Sequence, residues 1–365
     1  MSRVGIAGAG SIAFGSAALL HVNGHDPMLW SPSGASTRAL EDAPLTATGA
    51  IETRFAPAIA TSARQLCDDN DAILIALPGY GHKAVFDALA PHIRDGQHVI
   101  VSSHASFGAV YLTRLLDARG ITAPITAWGT TAVTGRRGEG ATVTVNTVRG
   151  KVDLCTVPET RADCARAVCT GLFGDVFVPR DGLLAIMLSN LNPQNHLGIA
   201  LGNITRMERG ETWSQGQNVT PKVGALLEAL DAERLAIADA LGLQTKTIFE
   251  HFSASFHVPM SSISEMNQQM HAQGNGGTGP ATADSRYVTE DVPYGLVPTA
   301  VLGRLAGRPA TLHEAGTQIF GAMYGRDFTA ENDILNALDL TGHTLDDLRG
   351  AARTGLLRKT PEPAN

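Results

Sequence analysis

Hydrophobic and polar positions run in two textures along the chain, and the change falls near residue 180. Before it, short apolar runs alternate with helical stretches, the pattern of strands joined through crossover helices in a parallel sheet. Residues 4–7, 27–30, 71–77, 98–102 and 125–128 read as strands, and 12–20, 84–93 and 108–118 as helices. The Thr/Val alternation of 141–148 and the run 152–157 extend β structure to near residue 178. Because successive strands connect through helices, right-handed crossovers and a doubly wound sheet are expected.

From Leu183 the apolar spacing becomes helical, as in Val223, Leu226, Leu227, Leu230, Ile237 and Leu241. Asp181 is placed to cap the first of these helices. The stretch Gly274-Asn275-Gly276-Gly277-Thr278-Gly279-Pro280 is too glycine-rich for helix or strand and predicts a loop. Helices resume after Pro298, and 361–365 read as a frayed tail. Two domains follow: an α/β domain over 1–178 and a mostly α-helical one over 179–365.

Composition agrees with two ordinary cores. The 365 residues carry 28 basic and 35 acidic side chains, a formal net charge of −7. That balance leaves no electrostatic footprint for nucleic acid and no polybasic membrane patch. The four cysteines (Cys67, Cys155, Cys164 and Cys169) show no paired C-x-x-C spacing, so no metal site is expected. No stretch approaches about 18 uninterrupted apolar residues, and a soluble cytoplasmic protein is expected. Oligomeric state stays open at this level, a homodimer being one admissible assembly.

The first chemistry lies at Gly8-Ala9-Gly10-Ser11-Ile12-Ala13, between the first strand and the first helix. Gly8 permits the tight turn, Gly10 lets a pyrophosphate approach the backbone, and Ala13 keeps the helix close to the strand. The helix N–H groups and their positive end would hold phosphates, with Ala9, Ser11 and Ile12 in the same cradle. The competing reading is a tight turn without ligand. In its strand–turn–helix context the motif predicts a Rossmann-type sheet binding a dinucleotide.

NAD-binding chains usually carry an acid about 20 residues onward, at the end of the second strand. Here Trp30-Ser31-Pro32-Ser33-Gly34 stands there, with Arg38 behind, and no carboxylate. Ser31, Ser33 and Arg38 suit a 2′-phosphate, so NADP is favoured, with NAD as the alternative. Arg38 could equally point to solvent. Pro78, ending the central strand, is expected beside the nicotinamide ribose, unless it merely makes an ordinary turn.

Two clusters mark the second half. His196 opens a helix within Asn192-Pro193-Gln194-Asn195-His196, and Asn203 follows on the same face. A histidine there suits a general acid or base, or is a core histidine satisfied by a carbonyl. The stretch from Arg286 to Pro298 gathers an arginine, two carboxylates, two tyrosines and prolines. Asp291 could orient and charge a histidine, and Arg286 could clamp a carboxylate. Asn192, Asn203 and Tyr294 join Arg286 as candidate substrate contacts. A solvated charged turn is the bland alternative.

The dinucleotide turn, the Asn192-Pro193-x-x-His196 helix start and the Arg286-to-Pro298 stretch together resemble the octopine/nopaline (opine) dehydrogenase family. The resemblance implies reduction, with NAD(P)H, of the imine formed between a 2-oxo acid and an amino acid or amine. It places a catalytic His–Asp pair on His196 and Asp291 and a carboxylate-binding arginine on Arg286. Trp128-Gly129-Thr130-Thr131 and the loop Gly274 to Pro280 depart from the pattern and are expected to border the substrate. A ketone or 2-oxo acid reductase similar to ketopantoate reductase would share the fold but use a lysine, and only Lys222 and Lys246 fall between Pro179 and Pro298. An NADP(H)-binding sensor without turnover is the third reading.

Overall fold

The computed structural model describes residues 1–359, so the tail 361–365 lies outside the described residues. Two compact units emerge: Met1–Ile186 together with a segment that begins at Ala337, and Met187–Asn336.

The first unit is built on an eight-stranded sheet. Its strands are β1 (Arg3–Ala7), β2 (Asp26–Trp30), β5 (Ala58–Ile59), β6 (Ala72–Ile75), β7 (His98–Val101), β8 (Ile125–Trp128), β11 (Val152–Val157) and β12 (Phe177–Pro179). They lie in the order β12-β11-β8-β7-β6-β1-β2-β5. All neighbouring pairs are parallel except β11 against β8. Every residue of β6 is buried, as expected where helices cover both faces. The chain moves from β1 to β2 on one side and returns to β6 on the other, so the winding reverses between β1 and β6. Ligands of such sheets bind at that reversal, outside the carboxyl ends of the strands.

A second, four-stranded sheet was not legible in the sequence. It comprises β3 (Leu45–Gly49), β4 (Thr53–Phe55), β9 (Val133–Arg137) and β10 (Thr142–Val148), in the order β4-β3-β10-β9. The Thr/Val alternation of 141–148 belongs here rather than to the main sheet. Val143 and Val145 are each 1% exposed and share a core with Ala13, Phe14 and Ala17 of the Ser11–Val22 helix. Gly15 makes the close packing possible, since a Cβ there would stand 3.0 Å from Val133.

The C-terminal part also differs from expectation. The helix Leu345–Thr354, assigned from sequence to the second domain, clusters with the first unit. Arg353 pairs there with Glu159 at 3.0 Å and with Asp181, the expected cap, at 2.9 Å. Helical spacing marks Leu348 and Ala351 as core positions, both 1% exposed, but does not say which core they join.

The second unit is helical. Its helices include Asn192–Glu208, Pro221–Ala240, Ile248–Phe256, Ile263–Ala272, Val297–Leu305 and Thr311–Tyr324. Leu197, Leu227, Leu230, Ile248, Phe252, Met266 and Phe320 form its core. The small residues of the Asn192–Glu208 helix serve helix packing. A Cβ on Gly198 would lie 2.5 Å from Leu227, and one on Gly202 2.7 Å from Val223.

Candidate functional site

Candidate residues fall in both units. In the first, β1 leads into Gly8, whose N–H donates to the Trp30 carbonyl of β2 at 2.8 Å. Gly8 takes φ +134°, and a Cβ there would fall 2.2 Å from the Ala76 carbonyl oxygen just beyond β6. Only glycine fits this turn. Gly10 caps the Ser11–Val22 helix without a side-chain hydrogen bond, and no acid occupies the first turn. A Cβ on Gly10 would meet nothing within 4 Å. A helix start without an acid in its first turn suits an anion.

At the end of β2, Ser31 is 8% exposed and its Oγ is buried without a hydrogen-bond partner. Ser33 and Arg38 are exposed on the following turn, and Ser33 Oγ accepts from the Ala35 N–H at 3.3 Å. Pro78 begins the turn after β6, half-buried. An open Gly10 edge, an uncapped helix and an orphaned hydroxyl at the second strand's end all fit a dinucleotide.

In the second unit the sheetless packing brings two distant segments together. His196 Nδ1 stands 2.7 Å from Asp291 Oδ2, across 95 positions of sequence. Neither side chain is fully buried, at 19% and 17% exposure, so the pair can meet a solute. With Nδ1–H donating to the carboxylate, Nε2 is the ring atom left to exchange a proton. Tyr287 stacks on the imidazole with ring centroids 3.5 Å apart and planes 8° apart. Its hydroxyl donates to Gln215 Oε1 at 2.6 Å, and burial, with Asp291 nearby, pushes its pKa up to about 12. Tyr287 is thus a neutral wall that fixes the plane of the ring.

Two devices hold the dyad. Gln194, two residues before His196, donates to buried Asp231 Oδ1 at 2.7 Å. Asp231 also takes Arg234 at 2.8 Å and the Ile248 N–H at 2.8 Å, both of its oxygens being used. On the other side, Asp291 immediately precedes a π-helical turn, Val292–Leu296, a form common at functional sites. Gly295 in that turn lies against Pro193, where a Cβ would stand 2.3 Å from the ring. The helix start and the π-turn therefore lock together on both sides of the His–Asp contact.

The other candidate residues have structural partners. Arg286 is 64% exposed and ion-paired with Glu290. Asn192 is exposed, with its N–H donating to Asn190 Oδ1 at 3.1 Å. Asn203 is buried, and its amide donates to the Ile199 carbonyl at 3.0 Å where the helix kinks at φ −134°. The Tyr294 hydroxyl lies 3.0 Å from Asp333 Oδ1 and 3.2 Å from the Glu331 carbonyl, and burial raises its pKa.

Both segments expected beside the substrate contain tightly packed positions. Trp128 is fully buried edge-on to Phe173, and a Cβ on Gly279 would stand 2.2 Å from the Trp213 ring. Sequence reasoning missed Tyr287's role, although its place four residues before Asp291 puts both on one helical face. It also missed Gln194 and Arg137, the latter reaching the dinucleotide turn from β9. Among the described residues no group of three or more His, Cys, Asp or Glu could hold a metal ion.

Comparison with known proteins shows the family. Residues 179–324 match the family model "NAD/NADP octopine/nopaline dehydrogenase, alpha-helical domain", and residues 4–104 match "Ketopantoate reductase PanE/ApbA". The chain is 32% identical over 287 residues to an opine dehydrogenase of Arthrobacter sp. (strain 1C), covering 78% of this chain and 79% of that one. Among solved structures, octopine dehydrogenase with NADH and L-arginine is 17% identical with a TM-score of 0.81, each chain covered completely. Yersinopine dehydrogenase with NADP+ bound is 15% identical with a TM-score of 0.70, covering 97% of this chain and 98% of that one. With its dinucleotide turn, its helical unit and these relatives, the chain belongs to the octopine/nopaline (opine) dehydrogenase family of NAD(P)-dependent oxidoreductases.

Proposed function

We propose that the protein condenses a 2-oxo acid with an amino acid or amine and reduces the resulting imine to a secondary amine. The carrying observation is the 2.7 Å contact between His196 and Asp291, with Nε2 left available. The amine nitrogen and the oxo carbon lose one water in forming the imine. Gly8–Ile12 would hold a dinucleotide, which would supply hydride for the imine carbon, and His196 Nε2 manages the proton on the substrate nitrogen or carbonyl oxygen. Asp291 keeps Nδ1 protonated and stabilises the imidazolium. Tyr287 holds the ring plane by stacking, and Arg286 is the candidate anchor for a substrate carboxylate.

On the cofactor, the proposal favours NADP. Ser31, Ser33 and Arg38 offer hydroxyls and a cation where a carboxylate would select the unphosphorylated ribose. A tenfold or greater preference for NADH in kinetic assays would sink that preference.

The N-terminal match to ketopantoate reductase supports a second reading, direct reduction of a 2-oxo acid. Lys222 and Lys246, the lysines available to it, are both exposed. NADPH deuterated at the transferable position separates the two. The imine route predicts deuterium on the carbon joining nitrogen and carboxylate; deuterium on a 2-hydroxy acid would refute it.

A further inference from the structure

The positive end of the Ser11–Val22 helix has an unexpected neighbour. Arg137 closes β9, paired antiparallel with Val143 of β10, and reaches the dinucleotide turn from the second sheet. Its backbone N–H donates to Ser11 Oγ at 2.9 Å, and its guanidinium donates to the Ala9 carbonyl at 2.6 Å. A second guanidinium nitrogen reaches the Gly140 carbonyl at 3.3 Å, and the group stacks over Phe14, 4.5 Å from the ring centroid.

This placement has an electrostatic cost. Arginine stays charged at any working pH, and here it sits beside a helix start with no acid in its first turn. Among the described residues Arg137 has no carboxylate partner, and two positive features side by side repel. Carbonyls occupy two of its five N–H bonds, which leaves three to donate. Gly10, on the same turn, adds no side chain, and a Cβ there would meet nothing within 4 Å. Such an arrangement suits a polyanion.

We propose that Arg137 is a binding residue for the diphosphate of the dinucleotide. The Ala9 carbonyl and Phe14 ring fix the guanidinium, and its remaining N–H bonds meet the diphosphate oxygens. The second sheet is thereby a functional part of the cofactor site, delivering a cation that the glycine motif does not encode. The proposal rests on the dinucleotide assignment and adds a residue to it.

Calorimetric titration of the whole protein tests it, with NADPH and ADP-ribose as diphosphate ligands and adenosine as a ligand without phosphate. Arg137→Met keeps an unbranched apolar side chain of similar reach and removes the charge. It should weaken NADPH and ADP-ribose by about 10- to 100-fold and adenosine by no more than about twofold. Arg137→Lys should recover part of the loss, because it restores charge without the fork. Unchanged NADPH affinity in Arg137→Met would overturn the proposal, and so would an equal loss for adenosine. If Arg137→Met fails to fold, Arg137→Lys decides: a selective loss for the diphosphate ligands supports the contact, and wild-type affinity for all three refutes it. A wild-type protein that binds neither NADPH nor NADH would overturn the dinucleotide assignment itself, an outcome distinct from any of these.

Discussion

The candidate dinucleotide turn and the His–Asp pair are assembled by opposite means. The turn is local: Gly8, Gly10 and the start of one helix lie in consecutive residues, and backbone geometry shapes it. The dyad joins His196 to Asp291 across 95 positions and depends on a buried Gln194–Asp231–Arg234 cluster and a π-turn to bring them together. A site built on consecutive residues depends first on its glycines, with Arg137 of β9 as the one distant residue proposed to join it. Distant pairs fail when either supporting segment shifts.

The largest effect should come from the dyad. His196→Ala is expected to lower kcat by at least about 100-fold, while NADPH affinity, set in the other unit, stays near wild type. A parallel loss of cofactor affinity would contradict the separation of the two sites. Asp291→Asn should keep the packing but lose the charge that holds the imidazole, for a fall of roughly 10- to 100-fold. Steady-state kinetics with calorimetric Kd values for NADPH reads both.

The two glycines break the comparison from the other side. Gly8→Ala meets the Ala76 carbonyl in a positive-φ turn and should lower the first unit's stability by about 1–3 kcal/mol. Gly10→Ala meets no protein atom and should leave stability within roughly 1 kcal/mol. NADPH affinity should nevertheless fall by at least about tenfold, a loss that about 1.4 kcal/mol of contact explains. Equal thermal shifts for the two variants would remove the distinction.

Acid should act on the first unit before reaching its carboxylates. Burial lowers His82 to about 4, opposed by its hydrogen bond to the Leu77 carbonyl. Burial also lowers His104 to about 3, with the His82 charge adding to it. Both fold neutral and take up protons on unfolding below the ordinary histidine value. Stability is therefore complete above about pH 6.5 and falls as pH drops toward 4, by up to roughly 1.4 kcal/mol per pH unit for each histidine. Urea midpoints at pH 7 and pH 5 measure this, and equal midpoints would contradict it. The smallest effect belongs to exposed Arg38: Arg38→Ala should weaken NADPH by about tenfold or less and leave NADH unchanged.

Much of the first unit was legible because its strands are continuous apolar runs bounded by turn residues. The β1 turn and the runs at 98–102 and 125–128 stand out for that reason. The second sheet was not. β3 (Leu-Thr-Ala-Thr-Gly) and β9 (Val-Thr-Gly-Arg-Arg) are short, polar and glycine-containing, and they form strands because of what they pack against. That omission hid Arg137. The second unit's helices followed from spacing, yet spacing does not tell which helix faces touch. The pairing of His196 with Asp291 came from a family resemblance rather than from periodicity. Tyr287 stood in plain view within the same cluster, but its stacking on His196 is a tertiary fact. Asn203 and Tyr294 show the converse, since each has polar atoms engaged by its own unit.

The central claim is that reduction here requires an amine. NADPH oxidation with pyruvate or 2-oxoglutarate, with and without a panel of amino acids, tests it most directly when product mass is recorded. The account predicts oxidation only when an amine is present, with a product equal to oxo acid plus amine, less one water, plus two hydrogens. Amine-independent oxidation yielding a 2-hydroxy acid would contradict it.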